Sequence, residues 1–416
     1  MLTRLLGLRD GEFGRLLPFF GLYALLFAAF ALADGVTLAL FVKHTGSAGL
    51  PRAYAIVAIA NFAIIGLYVG VAERFASGAV FRLILLASIV VFGGAWVSLH
   101  IWQLAAPWYD VLFVAREIAF TLLLMHFGTY LQDYFTRDEM SRILPLVYSG
   151  GRVGGILGGA LLQFLPDFVG VLNLLGVFLA MCALGIAALA WLDRTRQFGP
   201  TSDDAAQAAA TPAEEEARRS YLGFLRYVWH SPLLTWLTVS TTLFIMCRWI
   251  LNFQYSSSFE SSFESEEDLA EFLGLYTQLA LAAAILVQVL LVHRLIRWWG
   301  LAGAHLAYSV LMLVAMIACI GEMTIALAGF ARFVETELRL GLRNPINQLL
   351  INESPRSLRI RIRGWSFGVL IPLGTLASSL LLGSLPELDG IAWLGAGVTL
   401  GYVLWSLRLY RSLHKS

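Results

Sequence analysis

Apolar runs of about 20 residues, broken by short charged segments, recur along the whole chain, and that one feature leaves few folds open. In a bilayer every backbone N–H and C=O must be satisfied within the protein, so such runs fold as helices. The runs fall at 15–42, 52–73, 80–101, 107–133, 146–165, 169–192, 232–257, 270–292, 301–320, 323–349, 365–384 and 390–408. With 58% hydrophobic and only 14% charged residues, the 416-residue chain is far too apolar for a soluble domain. The pattern predicts an all-α polytopic membrane protein with 12 transmembrane helices in two six-helix bundles.

Lysine and arginine orient the spans. Of the 29, 22 fall on the side that holds both termini, while only Lys43 and Arg52 fall on the other, where Glu260, Glu264, Glu266, Glu267 and Asp268 gather. Both termini are therefore expected in the cytoplasm. The least apolar stretch, Gln197–Ser220, reads as a cytoplasmic linker, followed by a short interfacial helix with Tyr221, Phe224, Leu225 and Val228 on one face. The expected division is 1–192 for the N-terminal bundle, 193–230 for linker and interfacial helix, and 231–416 for the C-terminal bundle. No cleavable signal is expected at the N-terminus.

The stretch Pro145–Leu162 carries two glycine ladders, Gly150, Gly154, Gly158 and Gly151, Gly155, Gly159. Each glycine weakens a helix in water by about 0.8–1 kcal/mol relative to alanine. In a membrane the same bare ridge lets another helix approach closely. It reads either as static packing or as a sliding surface between two halves of a transporter.

The halves look alike. Tyr148-Ser-Gly-Gly151 matches Trp365-Ser-Phe-Gly368, Arg116 falls on Arg332, Gln132 on Gln348, Pro18 on Pro232 and Asp34 on Arg248, all at nearly one offset. A duplication explains a constant offset better than chance does.

Ionisable groups inside the spans carry the functional argument, since each costs about 2.5–3.5 kcal/mol at mid-bilayer on insertion scales. Steps of 100° place Arg332, Glu335, Thr336, Arg339, Arg343 and Asn347 on one side of the tenth span, with Glu337 elsewhere. Pro345 predicts a bend or opening near Arg343 and Asn344. The fourth span carries Asp110, Glu117, Thr121, Gly128 and Gln132 along one face, Arg116 a quarter turn away, and His126 opposite as a helix contact. Asp34 and Arg248 read as an ion pair, or as two ends of a ligand site. Five buried arginines face Asp34, Glu117, Glu335 and Glu337, an excess of one positive charge that points to an anionic substrate gripped by arginine forks. Ion pairs that lock helices together explain the same groups without a ligand.

No Walker loop, metal-spaced cluster or nucleophile with a readable base occurs. The three cysteines lie in apolar spans, and a net charge of +1 suggests no nucleic acid. Neither an enzyme nor a cofactor is expected.

Two motifs resemble those of the major facilitator superfamily. Gly70-Val-Ala-Glu73-Arg74, with Gly78 and Arg82, is similar to its inner-loop motif, Glu73 standing where Asp is usual. The glycine ridge is similar to the fifth-span motif of its antiporters, with Gly155 at the proline position. Over nearly the whole chain the sequence also resembles the ATP/ADP translocase family and its relatives. The residues that carry this are Leu50-Pro51 with Ala53-Tyr54, Arg142-Ile-Leu-Pro145 running into Gly150–Gly155, Asn252-Phe-Gln-Tyr255, Glu266–Phe272 and Arg343-Asn-Pro345. The resemblance implies twelve helices in two bundles, with spans 1, 4, 7 and 10 lining a central cavity. The chain departs in having only Lys43 and Lys415, and in Asn252 and Ser256 where relatives carry Asp and Lys. No nucleotide-contacting lysine carries over.

The expectation is a secondary transporter, an exchanger working by alternating access as a monomer in the lipid bilayer, for an organic anion such as a nucleotide or phosphorylated metabolite. Arg332, Arg339 and Arg343, with Arg248 or Arg116, would hold the anion, and Glu335, Glu117 and Asp34 would compensate them. The glycine ridge, Glu73 and Arg74 would serve packing or gating. The alternatives are an exporter of amphipathic or lipid-like compounds and a transport-dead scaffold or sensor.

Overall fold

The computed structural model describes residues 12–72, 74–104, 107–195, 216, 220–352, 354, 358–385 and 388–413. Among these there is no strand, and each of the twelve apolar runs is helical. We label the helices α1 (Glu12–His44), α2 (Leu50–Ala72), α3 (Ser77–His100), α4 (Trp108–Gln132), α5 (Arg137–Phe164), α6 (Leu174–Thr195), α7 (Tyr221–His230), α8 (Pro232–Ser262), α9 (Glu266–Val287), α10 (His293–Ile317) and α11 (Ile325–Phe333, Val334–Arg343 and Asn344–Asn352). The last two are α12 (Arg359–Trp365, Ser366–Leu370 and Ile371–Ser384) and α13 (Leu388–Leu413). The linker expected at Gln197–Ser220 lies outside the described residues except for Glu216 and Ser220.

Ten of the described helical runs are long and apolar enough to cross a membrane. Of the twelve expected spans, the two that fall short are α5 and α11, the helices with the glycine ridge and the arginine stripe. Their polarity is tolerable only against protein, which is where intramembrane polar groups belong. A short helix forms where one was expected, as α7: Ser220 caps it by accepting from the Gly223 N–H at 2.9 Å, and Phe224 and Val228 are buried. α10 is kinked at Gly300, whose φ of 68° suits a residue without a Cβ.

The chain groups into two compact units. Described residues of Met1–Gly46, Gly66–Ala205 and Phe263–Ala282 form the first; those of Ser47–Ile65, Ala206–Ser262 and Ala283–Ser416 form the second. In the first unit α1 lies along α5, and the glycine ladders explain how closely. A Cβ on Gly150 would stand 2.7 Å from the Phe20 carbonyl oxygen, and one on Gly154 or Gly158 would collide with the backbone of Ala24 or Ala28. The second ladder meets different neighbours. Gly151 faces Tyr23 and Phe27, while Gly155 and Gly159 face Leu281 and Gly274 of α9. The first ladder is thus a packing surface between helices of one unit.

The second unit is built around α8. Trp249 donates to the Thr375 hydroxyl of α12 at 2.7 Å, Thr399 of α13 donates to Cys247 Sγ at 3.2 Å, and Gly374 and Gly395 admit Ile245 and Ile250. A narrow cleft lined by Phe224, Thr238, Ile351, Trp365 and Leu370 among others lies under α7.

Gly154→Ala should cost about 1–3 kcal/mol in thermal unfolding of the detergent-purified protein, because the new methyl meets rigid backbone. Gly155→Ala should cost clearly less, since it meets only the movable end of Leu281. Equal losses would mean that the ridge does not set the α1–α5 distance.

Candidate functional site

Buried charges gather in one cluster per unit. In the first, Arg116 of α4 lies 2.9 Å from Asp34 Oδ1 of α1 and 2.6 Å from Glu117 Oε1. Arg116 and Glu117 are buried, and Thr121 donates to the Glu117 carbonyl oxygen at 2.9 Å. One arginine here faces two carboxylates.

In the second unit the sign is reversed. Arg248 of α8 donates through Nε to Glu335 Oε1 of α11 at 2.7 Å, and Arg339 stands 3.7 Å from the same oxygen. The other carboxylate oxygen accepts from the Tyr255 hydroxyl at 3.1 Å. Tyr54 donates to Asn252 Oδ1 at 2.6 Å, and Asn252 in turn donates to Tyr255. Glu335, 1% exposed, is the hub. Arg332 lies over the Tyr255 ring, Arg248 over Trp249 and Arg343 over Phe244, with guanidinium-to-centroid distances of 5.7, 4.3 and 3.5 Å. Such faces attract a desolvated cation. α8 and α11 thus carry four arginines, Arg248, Arg332, Arg339 and Arg343, while the acids of α11 are Glu335 and Glu337.

The repeat is legible in this arrangement. Asp34 and Arg248, which occupy equivalent places in sequence, each find an ion partner within their own unit, on the equivalent helices α4 and α11. The acid comes from α1 in one unit and from α11 in the other.

α11 departs from the 100° wheel. Residues Val334–Arg343 form a π-helix, closed by the Asn344 N–H donating to the Arg339 carbonyl five residues back. Thr336 donates to the Arg332 carbonyl at 2.7 Å where the wide turns begin. The expected opening before Pro345 takes this form. Proline has no N–H for the Gly341 carbonyl, and a ring in a regular helix would clash with it. Arg332, Glu335 and Arg343 are buried, Thr336, Arg339 and Asn347 half-buried, and Asn347 lines the cleft under α7.

At one end of the first unit, Asp193 of α6 accepts from Tyr130 at 2.9 Å and Tyr134 at 2.7 Å and pairs with Arg82. A Cβ on Gly78 would strike its carboxylate. Gly78 and Arg82 of the inner-loop motif thus both serve Asp193, a residue the sequence reading missed. Arg74 is exposed, and Glu73 lies outside the described residues. His126 is a helix contact as expected, with Nε2 2.8 Å from the Ser77 carbonyl oxygen and Nδ1 2.9 Å from the Tyr68 hydroxyl. Tyr54, Asn252 and Tyr255 were visible only as motif residues, and nothing in their spacing pointed to Glu335.

Burial pushes the Asp133 carboxyl in the α4–α5 connection above the usual carboxylate range; Ser77 opposes this and Asp193 adds to it.

No family model and no curated protein sequence matches the chain. Its fold does match solved membrane transporters. A mutant of the nucleoside transporter NupG aligns with a TM-score of 0.67 at 14% identity, covering 94% of this chain and 99% of its own. An auto-inhibited POT family peptide transporter aligns with 0.67 at 13% identity, over 96% and 97%. The xylose transporter XylE from E. coli, inward open, aligns with 0.62 at 14% identity, over 95% of both chains. The chain is a polytopic membrane protein with the major facilitator fold that these transporters share.

Two outcomes follow from the charges. Glu335→Gln should destabilise the protein by about 3–5 kcal/mol, because it strands buried arginines. Adding Arg248→Met should restore part of that loss, a non-additivity readable in a double-mutant cycle of melting curves. For Asp133, a folded pKa above the unfolded one means that ionisation opposes folding at neutral pH. Asp133→Asn should therefore raise the melting temperature at pH 7, and the gain should vanish as pH falls through the carboxylate range.

Proposed function

We propose that the protein is a secondary transporter for an organic anion, working by alternating access as an exchanger. The observation that carries the reading is the cationic excess in the second unit, where Arg248 and Arg339 share the buried hub Glu335 and Arg332 lies over the Tyr255 ring beside it. Glu335 neutralises part of this charge in the resting site, and an incoming carboxylate or phosphate would take over arginine forks from it. The Tyr54–Asn252–Tyr255 chain holds Glu335 in place for that exchange of partners. The Asp34–Arg116–Glu117 cluster carries the opposite excess, a reserve of carboxylate that compensates arginine when no substrate is bound. Nucleotides and phosphorylated metabolites are the first classes to try, because Gly150–Gly155, Asn252–Tyr255 and Arg343-Asn-Pro345 resemble the ATP/ADP translocase family. In this reading 1–192 and 231–416 are the two halves, in a bacterial inner membrane with both termini in the cytoplasm.

The test is a thermal-shift screen of the purified protein against nucleotides, phosphorylated metabolites, dicarboxylates and hydrophobic drugs. A ligand at 100 times its Kd adds about 2.7 kcal/mol of stability. One anion class should stabilise the wild type and not Arg339→Gln. Stabilisation by apolar compounds alone, unchanged in Arg339→Gln, would instead support an exporter of amphipathic compounds.

A further inference from the structure

Arg343 stands apart from the other arginines of its unit. It is 5% exposed and makes no ion pair with any described carboxylate. The nearby hub Glu335 is taken by Arg248, Tyr255 and Arg339. One face of its guanidinium is covered by Phe244 at 3.5 Å. Its Nε and Nη2, which form one edge of the guanidinium with parallel N–H bonds, are buried without a hydrogen-bond partner.

Two more unpartnered groups surround it. His305 of α10 and Tyr402 of α13 are 1% and 0% exposed, and neither His305 Nδ1 nor the Tyr402 hydroxyl has a partner. Arg343 acts electrostatically on both, and lies with Ser240 beside the Tyr402 hydroxyl without forming an aligned hydrogen bond. Ser240 Oγ is 3.0 Å from His305 Nε2. When the serine hydroxyl donates there, the imidazole proton sits on Nδ1, so Nδ1 becomes a donor. The other polar groups nearby are occupied: Cys247 accepts from Thr399, and Tyr308 donates to the Val334 carbonyl at 3.2 Å. What remains is a donor-rich set, the Arg343 edge, the Tyr402 hydroxyl and, in that tautomer, His305 Nδ1, with no counter-charge among the described residues. Buried polar groups are rarely left so, and buried charges are paired.

We propose that α8, α10, α11 and α13 enclose a binding site for a small monovalent inorganic anion, held by the Nε/Nη2 edge of Arg343 with Tyr402 and His305 as neutral donors. Near-complete burial of all three residues limits the ligand to the size of a halide or nitrate. The ion is a resident counter-charge, distinct from the transported anion, and it leaves Arg248, Arg332 and Arg339 to the substrate.

The experiment follows the melting temperature of the full-length protein in titrations of sodium chloride, sodium nitrate and sodium gluconate at constant ionic strength. Chloride or nitrate should raise it saturably, while gluconate, too large for the site, should not. Tyr402→Phe removes one neutral donor and keeps the fold's volume, so it should move the chloride or nitrate midpoint upward about tenfold, as expected for loss of a hydrogen bond to a charged ligand. Arg343→Gln should abolish the response, and Arg339→Gln should retain it. A bromide-soaked crystal should show an anomalous peak at the Arg343 edge. Identical wild-type melting in all three salts, or an unchanged midpoint in Tyr402→Phe, would overturn the proposal. Loss of the response in Arg339→Gln would overturn the separation from the transported anion. Failure of the organic-anion screen with the ion response intact would count against the transport reading alone.

Discussion

A carboxylate with 1% exposure inside a helical bundle has to be neutralised where it stands, and the second unit is arranged around that requirement at Glu335. Water is not there to share the charge, so each oxygen takes its own donors: Arg248 and Arg339 on one, Tyr255 on the other. The donors then need support. Tyr255 is held through Asn252 by Tyr54, and Arg248 rests on Trp249, so residues of α2, α8 and α11 are tied to one ionised group. The first unit meets the same demand with fewer parts, since Arg116 can serve Asp34 and Glu117 together.

Charge clusters of this kind need helices brought close, and the two units achieve that in different ways. In the first, glycines remove the side chains from α5 so that α1 lies against its backbone. In the second, Gly374 and Gly395 admit side chains of α8, and π-turns occur at Val334–Arg343 and Ser366–Leu370, and also at Gln288–Val292 following α9. α5 and α11, the helices least suited to lipid by composition, are those that carry the specialised surfaces.

The all-α membrane fold was legible because apolar runs of bilayer length have one outcome in lipid, and all twelve runs are helical. The internal repeat was legible too, through Asp34, Arg248, Arg116 and Arg332, and the equivalent helices do carry the ion pairs. Within the sites, sequence marked the arginines and carboxylates because charge in a span is conspicuous. It marked Tyr54 and Tyr255 only as motif residues and did not mark His305 or Tyr402, because their place depends on which buried group they approach. Aromatic and imidazole side chains are ordinary core material until a neighbouring helix supplies the charge. The helical wheel was the weakest tool, since it assumes a uniform pitch and α11 abandons that pitch for ten residues.

That abandoned pitch has a further meaning. A π-segment holds its hydrogen bonds five residues apart, and returning to four shifts everything beyond it by one position, a rotation of about 100° with an advance of about 1.5 Å. In α11 the segment begins just after Arg332 and ends at Arg343. The extra residue therefore sets the angle at which Arg343 leaves the axis relative to Arg332: in a regular helix of the same sequence the two would point in directions about 100° different from those seen here.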